Sequence, residues 1–238
     1  MFFLLSGEGP TDIGSGRTTE GICEGDNFVV GPMAIIVEQI VKPCLKYSIL
    51  DGACGFVSKH HLSQRAAELK IAKKKLRLPG KKQVKETRYF FNNARVLSRI
   101  AMDIQVDRKG KVVAVLFRDS DETASAASSL WEDKRKSMLD GFTEEGFLNG
   151  VPMIPKPKSE AWLICALKKH SYQGCEALEK RSGNDKSPNS LKGELKKLLD
   201  EDITPELLCE KVRGKVVDID RIKMPSFKAF RDRLEQVI

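Results

Sequence analysis

The chain reads as an α/β protein: a mostly parallel sheet flanked by helices, with a basic helical insert and a helical C-terminal elaboration. Two apolar runs, Phe2–Ser6 and Lys111–Phe117, have the length and residue types of buried strands. Amphipathic stretches at helical spacing stand between and after them, so strands alternate with helices through the first two-thirds. From Ser171 onward the patterns are mainly helical.

Phe2–Ser6 runs into Gly7-Glu8-Gly9-Pro10-Thr11-Asp12, a strand ending in a tight loop. Gly14–Asn27 is polar and Gly-rich and reads as loop. Met33, Ile36, Val37, Ile40, Val41 and Leu45 then share one helix face, with Pro32 at its first turn. Ser48–Leu50 is a weaker strand candidate, with Gly52 and Gly55 after it. Two helices are expected next, Leu62–Leu76 and about Lys85–Met102, separated by Pro79-Gly80. Lys111–Phe117 is the strongest strand. It stops at Arg118-Asp119-Ser120-Asp121, before a helix with Ala124, Ala127, Trp131 and Met138 on one face. Val151–Ile154 is another short strand, leading through Pro155-Lys156-Pro157-Lys158 into a helix over Ser159–Leu167. Beyond lie helical segments Leu191–Leu199, Pro205–Val212 and Pro225–Val237. These elements divide into an α/β core over 1–170, with the basic insert at about 58–111, and a helical extension over 171–238 packed on it.

At 238 residues, 41% hydrophobic and 31% charged, the chain is long enough to bury a sizeable core without a disulfide or metal staple. The longest apolar runs, Ala161–Leu167 and Val112–Phe117, fall far short of the ~20 residues that span a bilayer. Phe2-Phe3-Leu4-Leu5 has no basic lead-in, so no signal peptide is expected and the cytoplasm is the default. Cys23, Cys44, Cys54, Cys165, Cys175 and Cys209 form no Cys-x-x-Cys pair and read as free, mostly packing thiols. His60 and His61 have no partner at zinc-ligand spacing.

The net charge of +8 is concentrated. Ser58–Lys111 holds 16 Lys and Arg against 4 Asp and Glu, leaving 25 against 29 elsewhere. A neutral-to-acidic scaffold with one basic segment suits a polyanion, nucleic acid before membrane; a solvated helix face is the plainer reading of Lys73-Lys74-Lys75. Lys70, Lys73, Lys74 and Arg77 share one face of the first expected helix, and Tyr89 or Phe90 offers a stacking surface.

Ligands of open parallel sheets bind beyond the carboxyl ends of the strands. Glu8, the Asp119-x-Asp121 pair and Glu160 all stand where a strand should have ended. Carboxylates gathered there repel one another, and a hard divalent cation such as Mg²⁺ or Mn²⁺ removes that cost. Metal-assisted phosphoryl chemistry follows. Singly, each has a structural explanation: Glu8 as an exposed turn residue, one of the aspartates as a helix cap, Glu160 as a complement to a helix dipole. Together they form the stronger signal.

Leu4–Asp12, a strand ending in Glu-Gly-x-x-Asp, resembles the first Toprim motif. Val113–Asp121, a strand ending in Asp-x-Asp, resembles the second. Pro155–Leu167, with Glu160-Ala-Trp-Leu, is similar to the corresponding segment of OLD-type nucleases and of stand-alone Toprim-like proteins of bacterial defence islands. The resemblance implies a Mg²⁺- or Mn²⁺-dependent nuclease acting on DNA or RNA, in phage defence. Glu8 would be general base or metal ligand, Asp119 and Asp121 would hold the metal, and Glu160 would complete a second metal site. Lys156 or Lys158 would supply the cation that stabilises a pentavalent phosphate. About 106 residues separate Glu8 from Asp119, more than a compact Toprim core needs. OLD-type nucleases carry an ATPase on the same chain; this sequence has no Gly-x-x-x-x-Gly-Lys-Ser/Thr, so a partner ATPase would be encoded separately.

Two other readings compete. Asp119-x-Asp121-x-Thr123 fits the nucleophile motif of haloacid-dehalogenase phosphatases, with Asp119 as nucleophile and Asp121 as acid/base, but leaves Gly7-Glu8-Gly9 unexplained. The other is a Toprim-shaped module that binds nucleic acid or an ATPase without cutting.

Overall fold

The computed structural model describes residues 1–9, 12–18, 21–69, 85–122, 129–170 and 174–238. Its centre is a five-stranded sheet of order β3-β5-β1-β6-β7, formed by β1 (Phe2–Ser6), β3 (Ile22–Glu24), β5 (Cys54–Val57), β6 (Val112–Phe117) and β7 (Gly150–Met153). Neighbours are parallel except β3, which runs antiparallel to β5 at one edge. β2 (Gly14–Gly16) and β4 (Phe28–Val30) form a separate antiparallel pair.

Both faces of the sheet are covered, and strand parity decides which residue serves which face. Phe3, Leu5, Val113, Val115, Phe117, Val151 and Met153 face α1 (Pro32–Leu45), α5 (Ser159–Leu167) and the C-terminal helices. Those are α6 (Cys175–Leu178), α7 (Leu191–Leu199), α8 (Pro205–Arg213) and α9 (Pro225–Gln236). Phe2, Leu4, Val112, Ala114 and Leu116 face the other layer, α2 (Lys59–Glu68), α3 (Lys85–Arg108) and α4 (Leu130–Glu144).

The basic segment therefore supplies part of the core. Phe90, Ala94, Leu97, Ile100, Ala101 and Ile104 of α3 are buried against the sheet, and the helix continues past the expected Met102 to Arg108. α3 and α4 cross closely at Gly141, where a Cβ would lie 2.4 Å from the Phe91 carbonyl oxygen. The helix expected over Leu62–Leu76 begins earlier, at Lys59, because the Ser58 hydroxyl caps it by accepting the His61 N–H. Its basic stripe at Lys70, Lys73, Lys74 and Arg77 lies outside the described residues, as do Ala124 and Ala127. Trp131 and Met138 are buried on α4 as expected.

Three expectations are corrected. Ser48–Leu50 is not a strand: Ile49 is tied instead to the buried Glu38 carboxylate, which accepts its N–H at 2.8 Å. The strand on that side of β1 is Cys54–Val57. Gly55 is no turn residue there; a Cβ would meet Ile22 of the neighbouring strand at 2.7 Å. The Gly-rich stretch read as loop holds β2 and β3, followed directly by β4. Lastly, Cys165 and Cys175 are joined by a disulfide between the end of α5 and the start of α6, so the cysteines are not all free thiols. Among the described residues no helix is long and apolar enough to cross a membrane.

Candidate functional site

β1 and β6 are adjacent and parallel, yet their continuations part: the chain leaves β1 for α1 on one face and leaves β6 for α4 on the other. Such a reversal opens a crevice at the carboxyl ends of the two strands, where α/β sheets place their ligands. Glu8 follows β1 and Asp119 follows β6, so both stand at that crevice.

α5 enters at the same edge. The β6–β7 pairing continues past the strands as Arg118, Ser120 and Asp121 donate their backbone N–H groups to Met153, Pro155 and Pro157. This ladder carries the chain to Ser159, whose N–H donates to Asp119 Oδ1 at 2.9 Å and whose hydroxyl lies 3.2 Å from Asp12 Oδ1. The next residue, Glu160, has one carboxylate oxygen buried with no hydrogen-bond partner among the described residues. A cavity of about 70 Å³ adjoins the cluster, lined by Asp12, Ser159, Glu160, Met33, Leu163 and Lys192 among others.

The electrostatics are those of crowded carboxylates. Burial, then the charges of Asp12, Glu160 and Asp121, pushes Asp119 well above the usual carboxylate range against the pull of the Ser159 N–H. Asp12 is raised to about 6, first by burial, then by Glu160 and Glu8 against the Ser159 hydroxyl and Lys158. Glu160 is raised as well, mainly by burial. Asp12, Asp119 and Glu160 thus form the inner set, with Glu8 and Asp121 within electrostatic reach.

The remaining sequence candidates lie around this set. Asp121 is exposed, held at φ +49°, and pairs with Lys158 Nζ at 3.7 Å. Lys158 also reaches Asp185 at 3.1 Å; burial lowers its pKa, but the Asp185 hydrogen bond and neighbouring acids outweigh that and raise it. Lys156 points elsewhere, to the buried Glu122 at 3.9 Å. Glu8 sits 3.5 Å from Nε of the fully buried Arg118.

Sequence reasoning passed over four participants. Asp12 stood in the quoted Glu-Gly-x-x-Asp motif but received no role. Ser159 is visible only as the start of a helix. Arg118 carries no local signal beyond preceding Asp119. Asp185 comes from the C-terminal extension, brought in where the Gly183 N–H donates to the Glu122 carbonyl at 2.8 Å.

The donors gathered here are hard oxygens, suited to Mg²⁺ or Mn²⁺ rather than to a soft metal. Among the described residues, no three Asp, Glu, His or Cys side chains form a group already arranged to hold an ion. No family model, curated protein or solved structure matches the chain.

Proposed function

We propose that the chain is a metal-dependent nuclease of Toprim type that hydrolyses phosphodiesters of DNA or RNA at the β1–β6 crevice. The observation that carries this reading is the crowding of the half-buried Asp12, Asp119 and Glu160 around Ser159 at a topological switch point. Such a concentration of carboxylates opposes folding and is kept where a site requires it. Glu8, Asp119, Asp121 and Glu160 would hold Mg²⁺ or Mn²⁺, and the unpartnered Glu160 oxygen and the all-oxygen donor set fit that ion. When bound, the ion polarises a phosphoryl oxygen and lowers the pKa of a coordinated water.

The chain's own residues do the rest. The Ser159 N–H at the start of α5 fixes the Asp119 carboxylate, and the Ser159 hydroxyl orients Asp12. Lys158, steered by Asp185 and Asp121, is the cation better placed to meet negative charge developing on a phosphate, because Lys156 is turned to Glu122. A role in phage defence and a partner ATPase belong to the same proposal.

The test is incubation of purified protein with single- and double-stranded DNA and RNA, with and without Mg²⁺ or Mn²⁺. Cleavage that requires the ion and disappears in Glu8→Gln and Asp119→Asn is expected. Full activity in Asp119→Asn would overturn the reading. A phospho-aspartate trapped on Asp119 would replace it with the phosphatase one.

A further inference from the structure

A second polar group adjoins the site at the same sheet edge and shares Glu8 with it. Ser6 of β1 is in register with Val57 of β5 and Leu116 of β6. Just past the three strand ends stand Lys59, the first residue of α2, Glu8 and Arg118, with the Glu8 carboxylate 3.5 Å from Arg118 Nε. Arg118 follows Leu116 in the strand parity that faces α3, away from the Asp119 cluster. Tyr89, on the second turn of α3 and 37% exposed, meets both cations: Lys59 Nζ is 5.7 Å and Arg118 Cζ 5.6 Å from its ring centroid.

Arg118 is the unusual member. Its side chain is about 1% exposed, and only Nη1 is hydrogen-bonded, to the Phe117 carbonyl at 2.9 Å. Among the described residues neither Nε nor Nη2 finds a hydrogen-bond partner. These two nitrogens form one fork edge of the guanidinium, the shape that matches two oxygens of a phosphate. Glu8 approaches that edge but stops at 3.5 Å from Nε, outside a good hydrogen bond. A buried guanidinium with an idle fork is costly to keep, and a bidentate anion would satisfy it.

We infer that Arg118, Lys59 and Tyr89 form a phosphate subsite for a nucleic-acid strand, with two phosphate oxygens on the Nε–Nη2 edge of Arg118, Lys59 at the rim and Tyr89 stacked on a neighbouring base. Glu8 occupies the approach to Arg118 in the free protein and yields it to the phosphate. The assignment of the phosphate to a polymer rests on the nuclease reading above; the subsite itself rests on the geometry of Arg118.

The experiment measures binding without turnover. Protein in excess chelator is titrated with inorganic phosphate and, separately, with a labelled oligothymidylate. Arg118→Lys keeps the charge and loses the fork, so both probes should bind about tenfold more weakly. Glu8→Gln removes the competing carboxylate and should tighten both. Tyr89→Ala should weaken the oligonucleotide about tenfold and leave phosphate unchanged. Arg118→Lys binding both probes as the unmodified chain does would overturn the subsite. Phosphate bound in an Arg118-dependent way with no oligonucleotide binding would overturn the polymer assignment and give the subsite to free phosphate or a mononucleotide. Should Arg118→Lys fail to fold in a thermal melt, Glu8→Gln decides, and unchanged affinity there sinks the proposal. No cleavage enters these titrations, so intact Arg118-dependent binding in a protein that never cuts would refute the nuclease reading alone.

Discussion

Asp119 accepts the Ser159 backbone N–H at 2.9 Å, so the carboxylate that ends β6 also caps the helix that follows β7. The sequence places helix-capping residue types at 119–121, and Asp119 does cap a helix, but it is α5, forty residues on, rather than α4. The helix N-terminus favours negative charge; burial and the neighbouring carboxylates oppose it, and they win, since the Asp119 pKa is raised.

Neutralising that carboxylate should therefore raise stability while, on the proposed reading, removing a metal ligand. Asp119→Asn keeps an oxygen for the Ser159 N–H and removes a carboxyl whose charged form the fold disfavours. At neutral pH the metal-free variant should melt higher by about 2–4 °C, the equivalent of ~1 kcal/mol in a chain of this size. It should also lose any shift that Mg²⁺ gives the unmodified protein. Paired melts with and without the ion check both parts.

Asp12 makes stability depend on pH in a defined direction. Its carboxyl is raised from 3.8 to about 6, so the fold favours the protonated form. That contribution is complete below about pH 4 and is lost as pH rises through about 6. Asp119 and Glu160 act with the same sign. The melting temperature of metal-free protein should fall between about pH 4 and pH 6, and Asp12→Asn should flatten the fall. A melting temperature that climbs over this interval, or a slope untouched by the substitution, would contradict the cluster's electrostatics.

The two lysines should separate cleanly. Lys158→Met removes the cation beside Asp121 and Glu160 and, on the nuclease reading proposed above, should abolish cleavage with little change in fold. Lys156→Met takes one of two nearby cations, the other being Lys134, from the buried Glu122 and should cost about 1 kcal/mol of stability while, on the same reading, cleavage persists. Activity assays alongside denaturant titrations would reverse this assignment if the two phenotypes were exchanged.

The C-terminal helices should prove inseparable from the sheet. Trp162 Nε1 donates to Ser226 Oγ at 2.8 Å, and the indole packs against Phe227 and Phe230 of α9. Trp162→Ala should cost about 3–5 kcal/mol. A chain ending at 170 should aggregate, because the face made by Phe3, Leu5, Val151 and Met153 loses part of its cover. A monomeric, cooperatively melting 1–170 fragment would show the opposite.

What the sequence made legible follows from where each element draws its stability. Phe2–Ser6, Ser159–Leu167 and Leu191–Leu199 coincide with their expected bounds because each carries its own apolar pattern or cap. Gly14–Gly16 has no such pattern and becomes a strand only through pairing with Phe28–Val30. Cys54–Val57 was hidden by Gly55, whose missing side chain makes room for Ile22, a contact no local rule shows. At the site, the carboxylates were visible because acidic residues after apolar strands are conspicuous. Arg118 was not, since an arginine in a basic protein gives no hint that it will be buried. Asp185 needed the tertiary fold to bring the C-terminal extension across.

The central position of β1 also bears on synthesis. β1 is made before either strand that flanks it, and β6 begins only at Val112. At about 5–20 residues per second, a nascent chain carries Phe2-Phe3-Leu4-Leu5 for roughly 5–20 s before β6 has even started to emerge. For that interval a short, uncharged, strongly β-prone segment has an unpaired edge, the kind of template on which chains associate wrongly. Yield in the cell should therefore respond to chaperone supply and translation speed even where the finished fold is stable.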